Sequence, residues 1–175
     1  MEKIYKKIPF FKREERMDRE PNRPEIAEML RDFRREKFGL ILGNTVDPLR
    51  AAIHEYSWVK ELAKKHEVTL LLDESHAFGV LGKTLFGTYA EQQLPQVNLV
   101  VSGSLGKGLA MPAGIILGKS ELIAGIKSQA IFTGSSPGSP ANLQAFLETQ
   151  DIYKAQSQKI RDFAGIFNQE TSRLS

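Results

Sequence analysis

Short continuous runs of apolar residues alternate with longer amphipathic stretches along this chain of 175 residues. Three runs, residues 38–43, 68–72 and 98–102, are bounded by glycine or polar residues and predict strands buried on both faces. A fourth run, residues 113–118, follows its predecessor too closely for a helical crossover, so we expect it to pair antiparallel. The pattern predicts an α/β fold with a mainly parallel sheet and one antiparallel strand.

The stretches around these runs predict helices. Asp47 and Pro48 resemble an N-cap and a first helical residue, and we expect a helix from there to about His66. Ser120 is expected to cap a helix that ends near residue 128. Residues 141–172 predict a long, partly amphipathic helix, with two interruptions near Gln150 and Gly165.

The first 37 residues differ from the rest of the chain in composition and residue pattern. Residues 1–22 contain many charges and predict an extended arm, whereas residues 25–37 have helical apolar spacing. We therefore divide the chain into a charged arm with a helix (1–37), a sheet-containing segment (38–140) and a C-terminal helical segment (141–175).

Composition narrows the functional classes. Residues 1–37 hold 12 basic and 9 acidic side chains, and 12 of each follow, so the net charge of +3 arises in the arm. Because the two signs are interleaved there, we expect a solvated arm and no nucleic-acid partner. With no cysteine and three scattered histidines, a metal site is not expected. No apolar run approaches the roughly 20 residues of a spanning helix, so we expect no membrane association and a cytoplasmic protein.

Polar side chains follow the second and third apolar runs, where ligands bind in doubly wound folds. Asp73 and His76 come after one run, and Ser104 and Lys107 after the next. Each could be an ordinary loop residue. Together they suggest a site for a small ligand, because glycines at 103, 106 and 108 allow close backbone approach.

Three chemistries use a carboxylate and a lysine placed in this way. A P-loop ATPase also requires G-x-x-x-x-G-K-[ST], which this sequence lacks. The Ser104 to Lys107 spacing matches the Ser-x-x-Lys of penicillin-recognising hydrolases, but their other motifs do not occur. A pyridoxal-phosphate (PLP) site pairs a Schiff-base lysine with an aspartate at the pyridine nitrogen, and only this chemistry uses all four residues.

Two segments carry a family resemblance. Residues 71–82, Leu-Leu-Asp-Glu-Ser-His-Ala-Phe-Gly-Val-Leu-Gly, and residues 102–108, Ser-Gly-Ser-Leu-Gly-Lys-Gly, look like the α-oxoamine synthase branch of fold-type I PLP-dependent transferases. The similarity runs from about residue 38 to the C terminus. It implies a three-layer α/β fold, part of the large domain of such enzymes.

The resemblance also implies roles for individual residues. Lys107 would form the Schiff base with PLP and later transfer protons, Asp73 would hold the pyridinium nitrogen, and His76 would contact the phenolic oxygen. The remaining implied contacts are Ser104 with a phosphate oxygen, Thr45 near the phenolic oxygen, and Thr133, with Ser135, at the phosphate of a neighbouring subunit.

The implied activity is the condensation of an amino acid with an acyl-CoA in a homodimer, although transamination would use the same lysine and aspartate. Family members are longer than this chain, and the N-terminal part of their pattern is not matched. Two hypotheses follow: a PLP-dependent transferase represented by a partial chain, or a non-catalytic homologue or subunit that acts through dimer or partner contacts.

Overall fold

The computed structural model describes residues 38–173, so the predicted arm and the helix at 25–37 lie outside the described residues. The strands are β1 (Phe38–Asn44), β2 (Val46–Asp47), β3 (Ala52–Ile53), β4 (Glu67–Asp73), β5 (Val97–Ser104) and β6 (Gly114–Leu117). The helices are α1 (Val59–Ala63), α2 (Ser120–Lys127), α3 (Ala130–Thr133), α4 (Pro140–Glu148) and α5 (Gln150–Ser172).

Four strands form the main sheet in the order β1-β4-β5-β6. β4 pairs in parallel with both β1 and β5, and β6 runs antiparallel to β5. The mainly parallel α/β sheet with one antiparallel strand is therefore confirmed. Strands β2 and β3 form a separate small hairpin.

One face of the sheet contains the core. Alternate residues of β4, Val68, Leu70 and Leu72, are fully buried, and they align with Val97, Leu99 and Val101 of β5. Val59 and Leu62 of α1 are also fully buried in this cluster. The alternation follows from the strand period of two, which sends successive side chains to opposite faces.

The opposite face is covered less completely. Val100 of β5 is buried, but Leu40 and Leu42 of β1 are 38% and 66% exposed. The second helical layer of the predicted three-layer arrangement is thus incomplete over β1 in the part of the chain that the structure describes.

The predicted helix from Asp47 to His66 is wrong over most of its length. Asp47 Oδ1 accepts hydrogen bonds from the backbone N–H groups of Leu49 (2.9 Å) and Arg50 (3.3 Å), as an N-cap would. The chain then reverses at Ala51, whose φ is +52°, and continues into β3. An aspartate that opens an Asx turn and one that caps a helix make the same first contacts, so the local pattern could not separate them.

Of three further helix predictions, two differ from the structure. Ser120 is the first residue of α2, and Lys119 occupies the N-cap position without a side-chain cap hydrogen bond. The predicted interruption near Gln150 is confirmed, because α4 ends at Glu148 and α5 begins at Gln150. The predicted interruption at Gly165 is wrong, since α5 continues through it to Ser172.

Within residues 38–173, no helix is both long and apolar enough to cross a membrane.

Candidate active site

The strand register brings polar residues together at one edge of the sheet. Asn44, Asp73 and Ser102 align as neighbours across β1, β4 and β5. The backbone N–H of Thr45 donates to the Asp73 carbonyl (3.0 Å), which extends the β1–β4 ladder by one bond. Asp73 is therefore held at the end of a central strand.

Ser75 connects the ends of β4 and β5. Its backbone N–H donates to Asp73 Oδ1 (2.7 Å), and its own Oγ accepts from the backbone N–H of Ser104 (2.8 Å). Because β4 has ended by this point, the hydroxyl replaces the ladder partner that Ser104 would otherwise lack. This contact was not predicted from the sequence.

Lys107 and His76 lie next to each other at the carboxyl ends of these strands. Lys107 Nζ is 2.7 Å from His76 Nε2. Both line a cavity of about 140 Å³, whose walls are Asn44, Val46, Pro48, Asp73, His76 and Lys107. The structure therefore brings together three of the predicted site residues, Asp73, His76 and Lys107.

Two glycines make the approach of the loops possible. At Gly103 an added Cβ would lie 2.8 Å from the backbone nitrogen of Ser75, and at Gly108 it would overlap the carbonyl oxygen of Phe78. The prediction that glycine allows a close backbone approach therefore applies most strictly at Gly103 and Gly108. At Gly106 the nearest atom would be the Ser104 hydroxyl oxygen at 3.2 Å, so the restriction there is milder.

Three predicted residues lie elsewhere. Ser104 Oγ accepts from the Gly106 backbone N–H (3.0 Å) and shapes the turn before Lys107, but it is not among the lining residues. Thr45 is fully buried, and its hydroxyl donates to Glu74 Oε1 (3.1 Å). Thr133 lies in α3, where its hydroxyl donates to the carbonyls of Gln129 and Ala130.

The wall contributed by β1 was missed by the sequence interpretation. Asn44 is the last residue of β1, and its carbonyl accepts from the Tyr56 hydroxyl (2.8 Å). The Tyr56 ring lies against Gly43, where an added Cβ would overlap the hydroxyl oxygen. A polar residue at the end of an apolar run was the available signal, the same signal that marked Asp73.

Two groups near this wall have shifted pKa values. Burial raises the pKa of Tyr56 to about 12. The hydrogen bond from the Leu49 N–H holds the pKa of Asp47 below its usual value, since that donor favours the charged carboxylate. Within residues 38–173, no three potential ligand side chains cluster as a metal site would require.

Comparison with known proteins places this sheet and site in a family. The aminotransferase class I and II profile matches residues 16–168, and the chain belongs to that family. It is 29% identical over 139 residues to an 8-amino-7-oxononanoate synthase from Azoarcus sp., covering 78% of this chain and 35% of that protein. It is 31% identical over 154 residues to one from Petrotoga mobilis, covering 86% and 39%. The chain thus spans little more than a third of these relatives.

Solved structures show the same fold. A structure of SPT with a PLP internal aldimine has a TM-score of 0.62 at 19% identity, covering 81% of this chain and 36% of that one. The 8-amino-7-oxononanoate synthase from Francisella tularensis has a TM-score of 0.51 at 20% identity, covering 78% and 39%. The family and fold that the resemblance implied are both confirmed.

Proposed function

We propose that this chain forms part of a PLP-dependent transferase of the α-oxoamine synthase type, with Lys107 as the residue that attaches the cofactor. One observation carries the proposal. Asp73 and His76, which follow β4, and Lys107, which follows β5, line one cavity at the carboxyl end of the sheet. The family is PLP-dependent, which makes PLP the first cofactor to test at this cavity.

The donor set fits the ring end of PLP. An amine, a carboxylate and an imidazole face the same cavity, and Asp73 Oδ1 is oriented by the Ser75 N–H. In the proposed site the Asp73 carboxylate holds a proton on the ring nitrogen, and His76 binds the phenolic oxygen. When bound, PLP supplies an electron sink for negative charge at the α-carbon of an amino acid.

Lys107 has a second proposed role as the group that moves protons at that carbon. Its Nζ lies beside His76 Nε2, a position from which the imidazole can orient the amine through a hydrogen bond. The turn that presents Lys107 is held by the Ser104–Gly106 bond and by the Leu105 N–H, which donates to the Ala113 carbonyl (2.9 Å). The lysine is thus presented by a loop with its own internal bonds.

The phosphate contacts of Ser104 and Thr133 belong to this proposal. Ser104 keeps a hydroxyl proton to donate after accepting from Gly106. Thr133 is exposed on α3, and its proposed contact with the phosphate of a neighbouring subunit depends on the proposed homodimer. The structure supports a different role for Thr45, whose hydroxyl is bonded to Glu74.

The proposed reaction is the condensation of an amino acid with an acyl-CoA, by analogy with the 8-amino-7-oxononanoate synthases among the relatives. Transamination would use the same Lys107 and Asp73. The division at residues 37 and 140 and the cytoplasmic location stay predictions. Because the chain spans about a third of those relatives, the activity of the whole protein is part of the proposal.

Attachment of PLP to Lys107 is the decisive test. The purified chain is mixed with PLP, its visible absorbance is recorded, and the adduct is reduced with borohydride and mapped by mass spectrometry. We expect the label on Lys107 and its loss in Lys107→Ala. Lys83→Ala, which removes an exposed lysine from outside the cavity lining, is the matched control and should label normally.

Two results would contradict the proposal. If the wild-type chain gives no visible band, this chain does not hold PLP, and the hypothesis of a non-catalytic homologue or subunit gains support. If borohydride fixes PLP equally on several exposed lysines, the attachment is unspecific and Lys107 has no special role.

A further inference from the structure

Glu74 is a fully buried carboxylate next to the proposed site. It follows Asp73 at the end of β4, and its backbone N–H donates to the Ser102 carbonyl (2.9 Å), so it continues the β4–β5 ladder. Neighbouring residues of an extended strand point to opposite sides. Asp73 therefore borders the cavity, whereas Glu74 enters the interior.

Three donors from two other segments converge on this carboxylate. The Thr45 hydroxyl donates to Oε1 (3.1 Å), the Thr88 N–H donates to Oε2 (2.9 Å), and the Thr88 hydroxyl also donates to Oε1. A buried carboxylate is costly unless such bonds are made. Glu74 therefore ties the residue after β1 and the loop that contains Thr88 to the end of β4.

The surrounding backbone accommodates this carboxylate. Gly87 has a φ of +69°, and an added Cβ there would overlap Glu74 Oε2. Only glycine combines that backbone conformation with so close an approach. The loop that holds Thr88 is thus shaped around the Glu74 side chain.

The same contacts position two walls of the cavity. Thr45 lies between the lining residues Asn44 and Val46, and its N–H is bonded to the carbonyl of Asp73, a third lining residue. Movement of Thr45 would shift all three. The carboxylate of Glu74 restrains Thr45 from the interior, on the side away from the cavity.

We propose that Glu74 is a positioning residue, which holds Thr45 and Thr88 so that the β1 wall and Asp73 keep their relative places. Thr45, which the family resemblance suggested as a cofactor contact, is in this arrangement the residue through which Glu74 acts on the β1 wall. The inference rests on the proposed function only in assigning PLP to the cavity. The restraint itself is a property of the chain without a ligand.

Two substitutions of similar size separate hydrogen bonding from packing. In Glu74→Gln the amide can donate to both threonine hydroxyls and accept from the Thr88 N–H, since a hydroxyl can accept as well as donate. Glu74→Met replaces the carboxylate with a thioether, which is at most a weak acceptor, while the side-chain volume is nearly kept. Thr45→Val is a milder variant that removes one donor and leaves Glu74 in place.

Site-resolved amide hydrogen exchange of the full chain without PLP is the first measurement. We expect Glu74→Met to speed exchange at Thr45 and Thr88 at least tenfold relative to Leu70 and Leu99 in mid-strand, and Glu74→Gln to stay within threefold of wild type. If Glu74→Met does not fold, Thr45→Val should still speed exchange at Thr45. A uniform increase along β1, β4 and β5, or no change, would overturn the inference.

The affinity for PLP, measured from the visible band, is the second measurement. Glu74→Met should weaken it at least tenfold and Glu74→Gln by less than threefold. An unchanged affinity in Glu74→Met would overturn the positioning role. If the wild-type chain binds no PLP, the proposed function fails, whereas the exchange pattern at Thr45 and Thr88 still decides the role of Glu74.

Discussion

Around the ends of β4 and β5, buried polar side chains are bonded within the chain, whereas along α5 large apolar side chains face solvent. Glu74, Ser75 and Thr45 are buried, and each has hydrogen-bond partners. In α5 the buried residue is a serine, Ser157, while Phe163 is 68% exposed. The positions of the strand ends are therefore set by hydrogen bonds among the described residues. The same residues leave much of the apolar surface of α5 exposed.

The apolar residues of α5 also share a pattern. Ile160, Phe163 and Phe167 recur at spacings of three and four, as on one face of a helix, and they are 48%, 68% and 67% exposed. Such a face is typical of a helix that packs against something. The sequence of α5 is therefore typical of a packed helix, although these three side chains remain exposed among the described residues.

Truncation of a large apolar side chain should separate the two regions most strongly. Leu70→Ala removes a fully buried core residue, and we expect the free energy of unfolding to fall by about 2–5 kcal/mol. Phe163→Ala should change it by less than about 0.5 kcal/mol, because that ring is exposed. Urea unfolding measures both. An equal loss in Phe163→Ala would show that α5 is packed in solution and would break the comparison.

Glycine substitutions should give effects of opposite sign. Gly108→Ala places a methyl group against the Phe78 carbonyl, and the resulting shift should lower stability by about 1–3 kcal/mol and reduce PLP labelling of Lys107. Gly165→Ala in α5 meets no atom within 4 Å and should stabilise the chain by about 0.5–1 kcal/mol, since alanine favours a helix. Thermal unfolding tests both signs, and a neutral Gly108→Ala would contradict the close approach.

Alkaline pH should affect the β1 wall through Tyr56. Because burial raises its pKa to about 12, the folded state favours the neutral phenol. This contribution is complete below the unfolded value of 10.0 and is lost as pH rises toward 12, at most about 3 kcal/mol in all. Stability measured across that range should fall less in Tyr56→Phe. The same slope in both proteins would assign the loss to other groups.

The smallest expected effect is local and lies at Asp47. Its lowered pKa means that the turn is favoured by the ionised carboxylate above the ordinary value of 3.8 and loses that contribution as pH falls through the lower folded value. The Leu49 amide signal in NMR spectra should follow this titration, and the dependence should vanish in Asp47→Ala. Asp151→Ala in α5 is the control, because it removes only an exposed ion pair with Lys154 and should not change the Leu49 signal.

Strand positions could be predicted well because their signal is local. Leu70, Leu71 and Leu72 form an apolar run that ends abruptly in Asp73, and a buried strand of a parallel sheet requires both features. The antiparallel β6 followed from the short connection alone. The helix expected after Asp47 failed because a turn and a helix start share their first hydrogen bonds.

The candidate site was predictable only in part, for a related reason. Asp73, His76 and Lys107 stood out because each follows an apolar run, and the structure places all three around one cavity. Thr45 has the same local signal, yet its hydroxyl turns to the interior and binds Glu74. Which side chain of a strand end faces a cavity depends on the twist and register of neighbouring strands, which no single segment encodes.

The sequence by itself determined the kind of sheet, the polar side chains that follow its strands, and the family. These depend on periodicity and on residue types at short spacing. The tertiary structure alone decided that Glu74 is buried between Thr45 and Thr88, that Ser75 joins two strand ends, and that Asn44 lines the cavity. These contacts link residues 14 to 29 positions apart. They arise only when the sheet register brings those segments to the same edge.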